Sequence, residues 1–330
     1  MVDGERVSVV IVTYNSAQRI RACLDAVRRS TLVPRVVVVD NDSQDDTLDI
    51  LRSSYQEVVI LRSPDNKGFG QGCNLGMKYA LETGAEWILQ LNDDAFLSPT
   101  ALSDLLEVAA GHPEFGILIP LQLTGDGRDV HPTLAAQLRK APTRDLQADL
   151  LLGQPREVYV VQALMGAALL VKADVVETLG GFDPLFFVQG AEIDFCLRTV
   201  ISPWRVGFVP HAIVRHDSPL RQLQGLHALR YATHIFYTSS LCTLKRLNHS
   251  FLYMLVYQGV RSVYAIVNSL RFGKQSRPLA VLIAQPKILI ALPRVWRHRR
   301  LHLTQEGVFL ADVKVPVPDA GSVAEVDQNA

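Results

Sequence analysis

Cysteine is scarce in this chain, and its four copies, Cys23, Cys73, Cys196 and Cys242, stand far apart with no C-x-x-C spacing. That pattern argues against a zinc site or a disulfide framework and favours a reducing compartment. Long apolar runs are short of membrane length. The uncharged stretches 158–171 and 247–260 each hold 14 residues, too few to span a bilayer. Met1 to Ser8 carries charges and runs straight into strand-like sequence, so no signal peptide is expected. The P-loop pattern GxxxxGK[ST] does not occur, and no internal repeat or low-complexity tract stands out.

Acids are almost missing from one region. The formal charge of the 330 residues is zero, yet Arg215 to Leu303 holds 14 Lys/Arg against a single acid, Asp217. Residues 1–214 hold 18 Lys/Arg against 27 acids, and 304–330 one Lys against five acids. An acidic body joined to a basic, apolar segment implies a partner for that segment. An anionic membrane surface comes first, with packing onto the acidic body as the alternative. With 48% hydrophobic and 20% charged residues, the chain is globular and long enough for one large domain or two smaller ones.

The first hundred residues alternate strand-like and helix-like segments. Val7 to Val12 reads as a buried strand, and Asn15-Ser16 as a cap for a helix through about Arg29. Val36 to Val39, Val58 to Arg62 and Trp87 to Leu91 are further strands; helices are expected at about 47–54 and 70–83, with another start at Ser98-Pro99. Such alternation implies right-handed βαβ units, a mostly parallel sheet and a nucleotide-binding type of half-domain. Residues 124–157 read as a polar loop, and 158–171 as a core strand and helix start. Beyond Arg215, apolar helices broken by single cations read as lying on a membrane or on the body, and the sequence after Val315 as a loose tail.

Chemistry-bearing residues collect at the strand ends. Asp93 and Asp94 end the Trp87 strand, where adjacent carboxylates usually need a compensating cation, and their hard oxygens suit Mg²⁺ or Mn²⁺. Thr13-Tyr14 and Asp40 end two other strands at the same sheet edge, where Asp40 can accept from a ribose or base and Tyr14 can cover a base face. Asp65 to Gly76 places Lys67 and the three glycines Gly68, Gly70 and Gly72 at a helix start, with Gly76 one turn further on, suited to an anionic or ribose-bearing ligand. Glu192 and Asp194 open an amphipathic helix after Gly190, where the helix dipole alone can account for two acids. His211 and His216 lie in a short strand, where an imidazole can complete a carboxylate metal site.

In their order and spacing over roughly residues 7–216, these pieces resemble family 2 glycosyltransferases. The closest resemblance is to bacterial rhamnosyltransferases and galactofuranosyltransferases of surface-polysaccharide synthesis. The matching runs are 9–15, 39–47, 66–70 with Asn74 and Gly76, Leu91 to Ala95, Gly180 to Asp183, 192–198 and His216. The resemblance implies an α/β GT-A fold and inverting transfer of a rhamnose-like or galactofuranose-like sugar. The donor would be a dTDP- or UDP-sugar and the acceptor a saccharide or lipid-linked saccharide. No nucleic-acid partner is expected, and an oligomer is compatible with the sequence. By the same resemblance Thr13, Tyr14 and Asp40 hold the nucleotide, with Lys67, Asn74 and Asp93 near it. Asp94 and His216 hold Mg²⁺ or Mn²⁺, Glu192 is the base, and Asp194 supports the acceptor pocket. The motif opens on Asn92 rather than an acid, and Ala191-Glu192 replaces the usual Glu-Asp pair.

The implied organisation is a catalytic domain at 1–220 (nucleotide half 1–100, acceptor half 101–220), a helical extension at 221–303 and a tail at 304–330. The enzyme would work in the cytoplasm, peripheral on the inner face of the plasma membrane. A nucleotidyltransferase that makes a nucleotide sugar is the alternative, weakened because residues 13–20 lack the glycine of a triphosphate loop. A non-catalytic scaffold that keeps only sugar-nucleotide binding is a second alternative.

Overall fold

The computed structural model describes residues 4–139, 144–218, 224–271, 276–304 and 307–319. A turn of 3₁₀ helix at Gly4–Arg6 leads into β1 (Val7–Thr13), every residue of which is buried. Its run of Val and Ile fills both faces, as a parallel strand sandwiched between helices requires. α1 (Ile20–Arg28), β2 (Arg35–Asp40), α2 (Thr47–Ser54), β3 (Val59–Arg62), α3 (Phe69–Glu82) and β4 (Trp87–Asn92) then alternate. β1 pairs in parallel with both β2 and β4, and β2 with β3. The C-terminal ends of these strands, bearing Thr13, Asp40 and Asn92, therefore meet at one edge.

Beyond β4 the sheet changes character. β5 (Ala95–Leu97), α4 (Ala101–Gly111), β6 (Phe115–Thr124), α5 (Pro132–Leu138), α6 (Arg144–Leu151), β7 (Tyr159–Val161), β8 (Ala168–Lys172), α7 (Ala173–Leu179), α8 (Ala191–Val200) and β9 (Arg205–His216) follow. β8 enters antiparallel to both β4 and β6, while β9 is parallel to β6 but antiparallel to β5 and β7. The nine-stranded sheet, in order β3-β2-β1-β4-β8-β6-β9-β5 with β7 beside β9, is parallel in its first half and mixed in its second.

Three expectations change here. Residues 124–157 are not a loop throughout: α5 and α6 have seven and eight residues, too few for a helical period to show in sequence. Residues 140–143 of that stretch lie outside the described residues. The 158–171 run forms two strands and no helix start. The short strand around His211 to His216 is the end of a 12-residue one.

The basic region folds as α9 (Gly225–Lys245), α10 (Phe251–Arg271) and α11 (Ser276–Thr304). Leu241 and Leu244 of α9 and Ala284, Ile288 and Val295 of α11 belong to the same apolar cluster as Leu169, Phe182 and Phe195. The extension thus shares the core of the α/β body. By length and composition Pro278–Thr304 is long and apolar enough to cross a membrane. Its last turns are nevertheless anchored within the fold: Arg299 donates to the carbonyls of Leu244, Arg246 and His249 at the end of α9 and just beyond it, and His298 contacts Asp183 of the α/β body at 2.6 Å. Residues 307–319 are also not loose. Leu310 is buried in the core, Val313 and Val315 pack against it, and the Asp319 N–H donates to the Ile60 carbonyl at 3.1 Å. The rest of the expected tail, 320–330, lies outside the described residues.

Candidate active site

Strand register builds the centre of the site. β5 runs antiparallel to β9 with Ala95 opposite His216, and the Asp217 N–H donates to the Asp94 carbonyl at 2.9 Å. The pairing sets His216 Nε2 3.2 Å from Asp94 Oδ1. That oxygen is buried and has no hydrogen-bond partner among the described residues, and neither has His216 Nδ1. A buried carboxylate oxygen lacking a hydrogen bond, beside an imidazole nitrogen, is costly unless a cation completes it. The donor set, one carboxylate and one imidazole, fits Mn²⁺ or Mg²⁺ with its remaining positions filled by water or diphosphate oxygens.

Asp93 turns the other way. It accepts from the Ser16 hydroxyl and lies 3.5 Å from the Arg19 guanidinium. Burial raises its carboxyl above the ordinary range, against the pull of Ser16 and Arg19. The two adjacent acids are thereby separated: Asp93 braces the loop after β1, and Asp94 faces His216.

Asp94 and His216 line a cavity of about 610 Å³, whose wall also includes Glu192, Gln189, His131 and Gly190. Gly190 caps α8 with φ 93°, in the left-handed region, and starts the helix that carries Glu192. A side chain at Gly190 would strike Phe186 and Cys242 as well. Burial pushes the Glu192 carboxyl up to about 7, against a lowering effect of the Glu192 and Gly190 backbone, and among the described residues its Oε2 has no hydrogen-bond partner.

His131 is the wall residue that the sequence did not reveal. Its ring stacks on His216 with centroids 4.8 Å apart, and its Nδ1 accepts from the Thr133 N–H. Burial, followed by the neighbouring His216, lowers its pKa, so it is neutral at pH 7. Its one signal in sequence, a place just before Pro132, marks a helix start rather than a site.

The strand ends of β1 and β2 form the neighbouring part of the same sheet edge. Thr13 and Asp40 are fully buried at adjacent strand ends, with Thr13 Oγ1 3.5 Å from Asp40 Oδ1, while Tyr14 is 46% exposed beside them. Asn41 pins the next loop to this edge by donating to Asn66 and to the Gly68 carbonyl. Lys67 in that loop is exposed, 3.4 Å from Asp65.

Two expected residues are engaged by protein groups. Asn74 is buried and spends its amide on the backbone of Phe182, donating to its carbonyl and accepting from its N–H. It holds the Gly181–Phe182 turn, and it lines one cavity together with Lys67. Asp194 does not line the cavity that holds Glu192. It is buried in an ionic cluster, accepting from Arg198 at 3.0 Å and from Lys245 at 2.9 Å, while Lys245 also contacts Asp183. Asp183, Asp194 and His302 sit close enough to hold a metal, but the Lys245 ammonium already supplies their cation.

The sequence model of glycosyl transferase family 2 matches residues 8–152. Galactofuranosyltransferase GlfT1 of Mycolicibacterium smegmatis is 30% identical over 206 residues, covering 61% of this chain and 68% of that protein. N-acetylglucosaminyl-diphospho-decaprenol L-rhamnosyltransferase of Mycobacterium tuberculosis is 27% identical over 231 residues, covering 63% and 75%. Among solved structures, mannosyltransferase PcManGT of Pyrobaculum calidifontis, in complex with GDP-Man and Mn²⁺, superposes with a TM-score of 0.56 at 18% identity. That match covers 90% of this chain and 84% of the other. TarS 1-349 of S. aureus in complex with UDP gives 0.52 at 14% identity, covering 92% and 88%. These likenesses establish the GT-A fold.

Proposed function

The chain belongs to glycosyltransferase family 2, and from that premise we propose that it transfers a rhamnose-like or galactofuranose-like sugar, with inversion, from a dTDP- or UDP-sugar to a lipid-linked saccharide. The lipid-linked acceptor rests on the decaprenol-linked relative and on the apolar, basic helices beside the cavity. The observation that carries the reading is that Asp94, His216 and Glu192 line one cavity next to the donor edge.

In this reading Tyr14 and Asp40 hold the nucleoside, with Thr13 supporting Asp40 and Lys67 reaching the phosphates. Asp94 and His216 hold a divalent metal, which when bound neutralises the charge that grows on the departing diphosphate. Glu192 takes the proton of the attacking acceptor hydroxyl, a role worth about 10²–10⁴-fold. The acids lining the cavity are Asp94 and Glu192. With Asp94 committed to the metal, no second carboxylate is left to form a glycosyl-enzyme, which supports a single displacement. His131 Nε2 is a neutral donor suited to a sugar or phosphate oxygen. Residues 1–100 serve the donor, 101–220 the base and acceptor, and 221–303 the lipid side. In this reading the enzyme works peripherally on the cytoplasmic leaflet.

Nucleoside diphosphate release from a panel of dTDP- and UDP-sugars, with Mn²⁺ or with EDTA, tests the reading. Metal-dependent release is expected from the wild-type protein and none from Asp94→Asn. Full activity of Asp94→Asn in EDTA would overturn the metal assignment; no release with any nucleotide sugar would favour a binding scaffold.

A further inference from the structure

The catalytic cavity does not end at α9. Tyr231, Ile235 and Ser239 line it on one side and on the other line a second space of about 490 Å³ between α9, α10 and α11. The second space is walled mainly by apolar and small side chains, among them Phe236, Ala265 and Val281. Arg261 sits where the two meet, since its guanidinium contacts the hydroxyl of Ser239, the residue common to both walls. Its other partners are neutral: the Ser240 hydroxyl at 3.2 Å, the Gln258 amide oxygen at 3.1 Å and the Phe236 ring at 5.0 Å. Among the described residues no carboxylate lies within salt-bridge distance of it. A partly buried guanidinium without a counter-ion is costly, and an anion lodged there would offset that cost.

We infer that this groove holds the isoprenoid-like chain of a lipid diphosphate, with Arg261 contacting the phosphate at the boundary between groove and catalytic cavity. An apolar channel, a lone cation and a reaction cavity in series match the three parts of such an acceptor: chain, diphosphate and sugar. The inference rests on the proposed lipid-linked acceptor and adds where its lipid binds. The groove is also lined by Tyr264, which lies on an exposed apolar stripe of α10, so a chain longer than the groove can continue along that stripe into a bilayer.

Equilibrium dialysis of the full chain with labelled farnesyl diphosphate, in EDTA so that no metal recruits the diphosphate, tests the site. The wild-type protein should bind it at least about 10-fold more tightly than inorganic pyrophosphate, because the chain adds buried apolar area. Ala265→Trp, which fills the groove, should lower that affinity about 10-fold or more. Arg261→Ala should lower it comparably while farnesol binding changes little. Ala232→Phe on the α9 wall stands in if Ala265→Trp does not fold. No binding by the wild-type protein, equal binding of inorganic pyrophosphate, or unchanged affinity in a folded groove-filling variant would each overturn the inference. Nucleoside diphosphate release from the donor is measured in parallel. Loss of donor turnover with farnesyl diphosphate still bound rejects the glycosyl-transfer reading alone; intact turnover without farnesyl diphosphate binding rejects only the groove.

Discussion

As the proposed base, Glu192 must be charged to accept a proton, and its burial opposes that charge. With its carboxyl pushed up to about 7, the base limb of the rate should rise through neutral pH and level off above it. In a kcat–pH profile, Glu192→Gln should lose at least about 10²-fold and that limb, with donor affinity nearly unchanged; normal turnover by this variant would reassign the base. Stability should respond in the opposite sense. An acid whose folded pKa lies above its unfolded value costs nothing while both states are protonated. It costs progressively more as pH rises from its unfolded value of 4.5 to about 7. Glu192→Gln should therefore be more stable than wild type above pH 7, by on the order of 2–3 kcal/mol in urea unfolding, and equal to it near pH 4. Equal stability at both pH values would mean that the carboxylate is solvated. Motif order pointed to Glu192 and Asp94 because their roles follow from strand ends and helix starts. His131 was illegible because its meaning lies in stacking on His216, a partner far along the chain that only strand pairing reveals.

At the level of elements, α8 is fixed from behind. Asp194 lies two positions after Glu192, and Lys245 of α9 links it to Asp183, which His298 of α11 also contacts at 2.6 Å. Burial alone would raise the Asp183 carboxyl, but Lys245 and the two imidazoles hold it well below the usual carboxylate range. Its stabilisation is present above that range and is lost as pH falls through the depressed value. Lys245→Met leaves two buried carboxylates short of their cation and should cost about 3–5 kcal/mol, read as a lower thermal midpoint at pH 7. Because α8 is then less firmly held, kcat should fall while donor affinity stays. An unchanged midpoint would show that the cluster contributes little. The parallel half was legible in sequence almost residue by residue, since buried strands of Val and Ile between amphipathic helices leave few alternatives. The antiparallel entry of β8 was not, because its apolar run fits either direction and the choice is made by β4 and β6 on its flanks.

For the whole molecule, the charge asymmetry coincides with an exposed apolar stripe. On α10, Tyr253, Val256, Tyr257, Val260, Val263, Tyr264 and Val267 recur at three- and four-residue intervals and are all exposed. A face of this kind, flanked by cations, suits the headgroup boundary of an anionic leaflet. Flotation with anionic liposomes should recover the protein at low salt and much less at high salt, since each cation near the surface contributes about 1 kcal/mol and is screened. Absence of binding at low salt would turn the stripe into a protein–protein contact.

The return of Asp319 to Ile60, with its carboxylate accepting from the Arg52 guanidinium at 2.6 Å, also has a kinetic meaning. β3 is an edge strand, and an uncovered edge can recruit strands from other chains. Its cover is separated from Arg52 by 267 residues. At a synthesis rate of about 5–20 residues per second, that edge stays open for on the order of 10–50 s on the ribosome. The nucleotide half of the sheet thus passes through a window of vulnerability that closes only once nearly all of the described chain has been made.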